Sequence, residues 1–243
     1  MLTTDFVPGA PNWIDLGCPD VVAAAEFYGR ALGWTHVSLG PEAGGYGFFG
    51  HEGRTVAAVG PLSEPGAASA WTIYFASPDA DSVCRSVSSA GGKVRLEPFD
   101  VFTSGRMAQL TDPAGAEFAV WQAGDLPGVD AVSSVGALTW VELHSPDDAS
   151  FYRTVFSWDV VTIPGAPGSF FRPAGTGEGA MFGAVVPDSS AYWLPYFEVA
   201  DPDAAAAVAD VVVEPCSLEG IGRIAVLADP FGARFGVMSS VTP

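Results

Sequence analysis

Two short stretches of the chain carry the side chains best suited to chemistry. Trp140, Glu142 and His144 occupy every second position, and so do Trp13 and Asp15. Alternate residues of a β-strand point to one face, so each set would share a surface if its stretch is extended. Tryptophans on such a surface stack on flat or apolar molecules. Asp15 and Glu142 would accept hydrogen bonds from a ligand or act as bases, and a Glu142–His144 pair could move a proton. Each candidate also has a plainer reading. The tryptophans could be core packing. The carboxylates could pair with Arg106 and Arg223, and His144 could be a satisfied histidine with no catalytic part.

The elements that must position these groups are visible as a repeat. Thr139-Trp140-Val141-Glu142-Leu143-His144-Ser145-Pro146-Asp147 matches Asn12-Trp13-Ile14-Asp15-Leu16-Gly17-Cys18-Pro19-Asp20. Phe27-Tyr28…Gly33-Trp34 matches Phe151-Tyr152…Ser157-Trp158, and Gly105-Arg106…Asp112-Pro113-Ala114-Gly115 matches Gly222-Arg223…Asp229-Pro230-Phe231-Gly232. The order is kept throughout, which implies two domains, 1–124 and 137–243, joined by a linker at 125–136 that contains Pro127 and Gly128.

Each copy reads as two strand–helix–strands units. A strand at 13–17 precedes a helix over 20–32, with Asp20 as its N-cap and Gly33 as its stop. Strands follow near 35–39, 46–51 and 54–60. The next unit starts at Trp71, with a helix over 79–90 and strands near 93–98, 105–110 and 116–122. The second copy repeats the plan: strand 138–143, helix 147–156, strands to 186, strand 192–199, helix 202–209, and strands to 239. The class is α+β, four βαβββ units.

Alternation then fills out the surfaces. Ile14 and Leu16, and Val141 and Leu143, would pack under the helices. Thr72, Tyr74 and Trp121 join Trp13 and Asp15 on the opposite face; Leu194, Tyr196, Glu198 and Met238 join Trp140, Glu142 and His144.

Composition bounds the partners. The 243 residues carry 28 acidic and 10 basic side chains, a net charge of −18, which opposes binding to nucleic acid or to anionic lipid. Cys18, Cys84 and Cys216 are widely spaced and odd in number, as expected of a reducing, cytoplasmic setting. No basic n-region opens the chain, and no long uncharged apolar run reads as a membrane span. The expected partner is a small molecule. A homodimer is allowed by the sequence, which contains nothing that requires one.

Paired βαβββ units with Phe-Tyr…Gly-Trp early and Asp-Pro-x-Gly late resemble the vicinal oxygen chelate superfamily, which includes glyoxalase I, bleomycin-resistance proteins and extradiol dioxygenases. The paired form is similar to the glyoxalase-like culture-filtrate antigen of mycobacteria. The resemblance implies tandem glyoxalase-like domains. In metal-dependent members it also implies His, Gln or Glu ligands on the first, fourth, fifth and eighth strands of each cup. Those places fall here on Trp13, Ala57 or Ala58, Thr72 and Ala119, and in the second copy on Trp140, about Gly183, Leu194 and Gly236. A divalent ion needs converging N, O or S donors. His36, His51 and His144 are too scattered to supply them, so no metal and no other cofactor is expected. Antibiotic-binding members of the superfamily then suggest a metal-independent protein that holds an apolar or aromatic metabolite. The alternative is a metal-independent isomerase, cyclase or lyase using Asp15, Glu142 or His144 as acid–base groups. A lesser alternative is an accessory protein to a biosynthetic oxygenase.

Overall fold

A computed structural model describes residues 1–243 except 63, 65, 164–167 and 242–243. Four βαβββ units follow one another. The first is β1 (Pro11–Cys18), α1 (Val21–Leu32), β2 (Thr35–Ser38), β3 (Gly47–His51) and β4 (Arg54–Pro61). The second is β5 (Ala70–Ala76), α2 (Ala80–Ser89), β6 (Lys93–Val101), β7 (Gly105–Thr111) and β8 (Glu117–Ala123). The third is β9 (Leu138–Ser145), α3 (Ser150–Phe156), β10 (Asp159–Thr162), β11 (Ser169–Arg172) and β12 (Gly183–Pro187). The fourth is β13 (Tyr192–Glu198), α4 (Pro202–Ala206), β14 (Asp210–Leu218), β15 (Gly222–Ala228) and β16 (Arg234–Ser240).

The strands form two eight-stranded sheets, one per repeat, in the orders β2-β3-β4-β1-β5-β8-β7-β6 and β10-β11-β12-β9-β13-β16-β15-β14. The last strand of a unit runs parallel to its first, as in β1 with β4 and β9 with β12. Proline sits inside β6 (Pro98) and β14 (Pro215). Both are edge strands with register shifts, the setting in which a residue without an N–H is tolerated.

Local signals set the helix ends. The Asp20 side chain accepts from the backbone of Val22 and Ala23, and Gly33 closes α1 in the left-handed region at φ 71°. Two helices are shorter than their patterns suggest. No side chain caps α3 at Ala149, and it begins at Ser150, not near 147. Beyond Ala206 the chain tightens, with Val208 and Ala209 donating three residues back, which ends α4 before 209.

Compact packing groups the chain differently from the repeat. One unit holds Met1–Trp13, Thr72–Gly128 and Trp140–Trp193; the other holds Ile14–Trp71, Val129–Thr139 and Leu194–Pro243. The first unit is centred on Phe75, Phe118, Tyr152, Trp158, Phe171 and Trp193, with Tyr152 and Trp158 stacked at 5.1 Å. The second is centred on Phe27, Tyr28, Trp34, Phe49, Trp71 and Phe235.

The repeated sequence motifs meet inside these cores. In the second unit Trp71 Nε1–H donates to Tyr28 Oη (3.0 Å), and Tyr28 donates to Asp229 Oδ2 (3.3 Å). In the first, Trp193 Nε1–H donates to Tyr152 Oη (3.0 Å), which donates to Asp112 Oδ2 (3.0 Å). Each aspartate also caps its own Asp-Pro-x-Gly turn through Oδ1, Asp112 taking the N–H groups of Gly115 and Ala116 and Asp229 those of Phe231 and Ala233. Buried polar groups are costly unless paired, and here every member of the chain has a partner. Burial pushes both tyrosines well above the usual phenol range and raises the Asp229 carboxyl.

The connecting stretch is tied down on both sides. Leu126 accepts from Trp121 and Pro127 from Asn12 in the first unit; Asp130 binds the Thr55 N–H and Gly136 accepts from Trp34 in the second. Among the described residues no helix is long and apolar enough to cross a membrane.

Candidate functional site

The second repeat carries a polar cluster on an aromatic surface, all within the first unit. Strand register places Glu142 beside Ala184, Ala184 beside Phe170, and Phe170 beside Val161, so these four share a face. Trp140 lies on the same face of β9, its ring 6.2 Å from that of Phe170. Val141 and Leu143 point the other way and are buried, as alternation requires.

His144 ends this row. Its Nε2 lies 3.3 Å from Glu142 Oε2 and its Nδ1 3.2 Å from Asp188 Oδ2. The imidazole stacks flat on Tyr192, with centroids 4.4 Å apart and 9° between planes. Asp188 is itself held, accepting from the Ser190 N–H (3.0 Å) and the Tyr192 hydroxyl (3.4 Å). The Ser190 N–H first, then His144 and Tyr192, pull its carboxyl below the usual range. Side-chain exposures of 14% for His144, 22% for Glu142 and 31% for Asp188 leave the cluster reachable from solvent.

Both ring nitrogens face carboxylate oxygens, and an imidazole donates from both only when doubly protonated. With one proton, either the Glu142 or the Asp188 contact lacks its donor. The arrangement can therefore pass a proton between His144 and Glu142 while Asp188 fixes the ring. The 3.3 Å separation is slightly longer than a working proton transfer, and a small movement on binding would close it.

Asp188 was not among the sequence candidates. The signal was present in the repeat. Pro61 pairs with Cys18 as Pro187 pairs with Ser145, so Leu62 stands where Asp188 does. Leu62 and Asp188 make the same backbone bond, to Cys18 and Ser145, each at 3.1 Å. By the same register Gly17 replaces His144, and Ala70, before Trp71, replaces Tyr192, before Trp193. Three linked differences remove the whole cluster from the first repeat. There Asp15 accepts from the Tyr46 hydroxyl at 2.9 Å, in a row with Ala58 and Phe48.

The remaining candidates fall in other places. In the first unit Trp13, Tyr74 and Trp121 are buried, Thr72 is half-buried, and Trp121 is anchored through Nε1–H to the Leu126 carbonyl at 2.8 Å. In the second unit Leu194 and Tyr196 are buried and Met238 half-buried beside Glu198. Glu198 binds the Ser240 N–H and hydroxyl, each at 2.7 Å, which makes it a pin between strands. The expected role of the repeated arginines is corrected. Arg106 is held by Asp81 and Asp100, and Arg223 by Asp203 and Ser217. Asp81 and Asp203 lie in the first turns of α2 and α4, within easy reach.

The positions implied for a metal do not suit one. Ala58 and Ala184, in the rows of Asp15 and Glu142, are buried methyl groups, as is Ala119. At Gly236 an added Cβ would lie 2.2 Å from the Tyr196 ring, so that ring fills the space a ligand side chain would need. Among the described residues no three His, Cys, Asp or Glu side chains form a metal-holding group.

Comparison with known proteins agrees with this architecture. A model of the Glyoxalase/Bleomycin resistance protein/Dioxygenase superfamily matches residues 10–120. The chain is 39% identical to the anthracycline biosynthesis protein DauV of Streptomyces sp. (strain C5), over 97% of this chain and 94% of that one. The chain belongs to the glyoxalase/bleomycin resistance protein/dioxygenase superfamily. Another relative is CFP32 of Mycobacterium tuberculosis, 36% identical over 97% of this chain and 96% of that one. Among solved structures, the Mn(II)-bound glyoxalase from Novosphingobium aromaticivorans aligns with a TM-score of 0.65 at 17% identity, covering 97% of this chain and 84% of that one. That likeness concerns the superfamily fold alone.

One expected outcome follows from the site. The depressed Asp188 carboxyl contributes stability above the usual carboxylate range and loses it as pH falls through the folded value. Asp188→Asn should therefore lower the melting temperature at neutral pH, and the gap from the unmodified protein should close on acidification. A gap independent of pH would show that the Asp188 charge has no part in the fold.

Proposed function

We propose that this protein holds an apolar or aromatic metabolite, without a metal, against the Trp140–Phe170 surface beside Glu142 and His144. The observation that carries the reading is the linked change between repeats: His144, Asp188 and Tyr192 in one, Gly17, Leu62 and Ala70 in the other. The row occurs in one repeat only and stays reachable from solvent, which suits a surface serving a ligand better than a feature of the fold common to both repeats. The apolar side chains at the superfamily's metal positions support the metal-independent part. The resemblance to DauV supports a ligand from anthracycline or related biosynthesis.

A second reading draws on the Glu142–His144–Asp188 chain, which has the layout of an oriented acid–base pair. It makes the protein an isomerase, cyclase or lyase. Native mass spectrometry of freshly purified protein tests the first reading: a bound organic mass with no metal supports it, and a stoichiometric divalent ion overturns it. Glu142→Gln then separates the two. Loss of a hydrogen bond from a carboxylate to the ligand should weaken binding about 10- to 100-fold. An unchanged dissociation constant with abolished turnover of the recovered ligand would favour the enzyme.

A further inference from the structure

We propose that Tyr46 is a plug: its ring fills the first-repeat counterpart of the ligand surface, so the protein takes its ligand on the second repeat alone. This rests on the binding reading above and adds the residue that limits the protein to one ligand.

Strand register makes the two surfaces comparable position by position. In the first repeat Asp15, Ala58 and Phe48 form one row, and Gly17 and Gly60 the next. In the second, Glu142, Ala184 and Phe170 form the matching row, and His144 and Val186 the next. Tyr46 stands two residues before Phe48, and Gly168 two before Phe170. The tyrosine therefore comes with a bare pair of glycines, and the bare Gly168 with a filled pair. The fit is direct. A Cβ on Gly60 would lie 2.7 Å from Cδ2 of Tyr46, so the ring rests against the glycine backbone. Gly60 does not have a positive φ, so what this glycine supplies is room for a close approach. From that seat the Tyr46 hydroxyl donates to Asp15 Oδ2 at 2.9 Å, and the ring meets Phe48 edge-on with centroids 6.3 Å apart. One side chain thus engages the carboxylate, abuts the aromatic ring and covers the bare glycine. A ligand would have to displace it from all three. The backbone keeps the plug in register, because the Tyr46 N–H donates to Ala43 and its carbonyl accepts from Leu39. The second repeat bars the same plug: a Cβ on Gly168 would lie 2.5 Å from the Val185 carbonyl oxygen, and φ there is 108°.

The test counts molecules of naphthalen-2-ol, a neutral aromatic alcohol, bound to the full chain, by native mass spectrometry and by calorimetric titration at neutral pH. The unmodified protein should bind one and Tyr46→Gly two. Gly60→Ala is the second variant should Tyr46→Gly fold poorly. Its methyl would push the half-buried ring off its seat, and it too should bind two. Tyr46→Phe keeps the ring in place and should bind one. Two molecules on the unmodified protein, or on Tyr46→Phe, would overturn the plug. One molecule on the unmodified protein and on both opened variants would also overturn it, and would leave the binding reading standing. No molecule on the unmodified protein and one on the opened variants would support the plug and overturn the second-repeat reading. Binding to none of them would overturn both.

Discussion

Asp229→Ala is expected to destabilise the protein by about 3–5 kcal/mol, seen as a lower midpoint in urea denaturation. The estimate counts buried donors left without an acceptor, at roughly 1–3 kcal/mol each with partial relaxation. Asp229 is 1% exposed and takes three: the N–H groups of Phe231 and Ala233 and the hydroxyl of Tyr28. Asn at the same place keeps Oδ1 for the two turn N–H groups and removes only the acceptor of the Tyr28 hydroxyl, so Asp229→Asn should cost less. It also removes a pH dependence. Burial raises the Asp229 carboxyl, so the unfolded chain gives up this proton first, and stability falls as pH rises from the usual carboxylate range to the folded value. The asparagine variant should gain on the unmodified protein across that window. A loss under 1 kcal/mol for Asp229→Ala would show that the turn and the tyrosine do not depend on this carboxylate.

Gly236→Ala should cost about 2–3 kcal/mol, although alanine usually suits a strand better than glycine by a few tenths to 1 kcal/mol. The new methyl would lie 2.2, 2.3 and 2.5 Å from Cδ1, Cε1 and Cγ of Tyr196, a ring only 3% exposed. A buried ring cannot swing aside as an exposed side chain can. The clash is specific, so it should vanish in a Tyr196→Ala background, where the same substitution should cost under about 0.5 kcal/mol. A double-mutant cycle by thermal denaturation measures this coupling. Additive effects would mean that Tyr196 does not occupy the space beside Gly236. The same geometry makes Gly236→Glu a poor route to a metal centre, since the added donor would first have to expel the tyrosine.

Much of this architecture was legible in the residues. Period-two alternation placed Val141 and Leu143 in the core and Glu142 and His144 opposite them, and Asp20 and Gly33 marked the ends of α1. Contacts set by register were not legible. Asp188 reaches His144 from 44 residues away, and only the pairing of β9 with β12 brings them together. The plainer reading, in which Arg106 and Arg223 pair with Asp15 and Glu142, missed their aspartates because spacing on a strand says nothing of a helix packed over it. Asp81 and Asp203, at the starts of those helices, are the closer partners. The Asp-Pro-x-Gly aspartates read as turn formers, which they are. Their second task, receiving a buried tyrosine, depends on which βαβββ units share a core.

That sharing has a consequence during synthesis. Tyr28 and its acceptor Asp229 are 201 residues apart, whereas Tyr152 and Asp112 are separated by 40. The first unit has all its parts once Trp193 has left the ribosome; the second needs Leu194–Pro243 to cover aromatic side chains of Ile14–Trp71 made long before. At roughly 5–20 residues per second, that N-terminal segment waits on the order of 10–30 s. During the delay Phe27, Trp34 and Phe49 lack the fourth βαβββ segment that completes their core. A message broken near its 3′ end would therefore harm the oldest part of the chain as much as the newest.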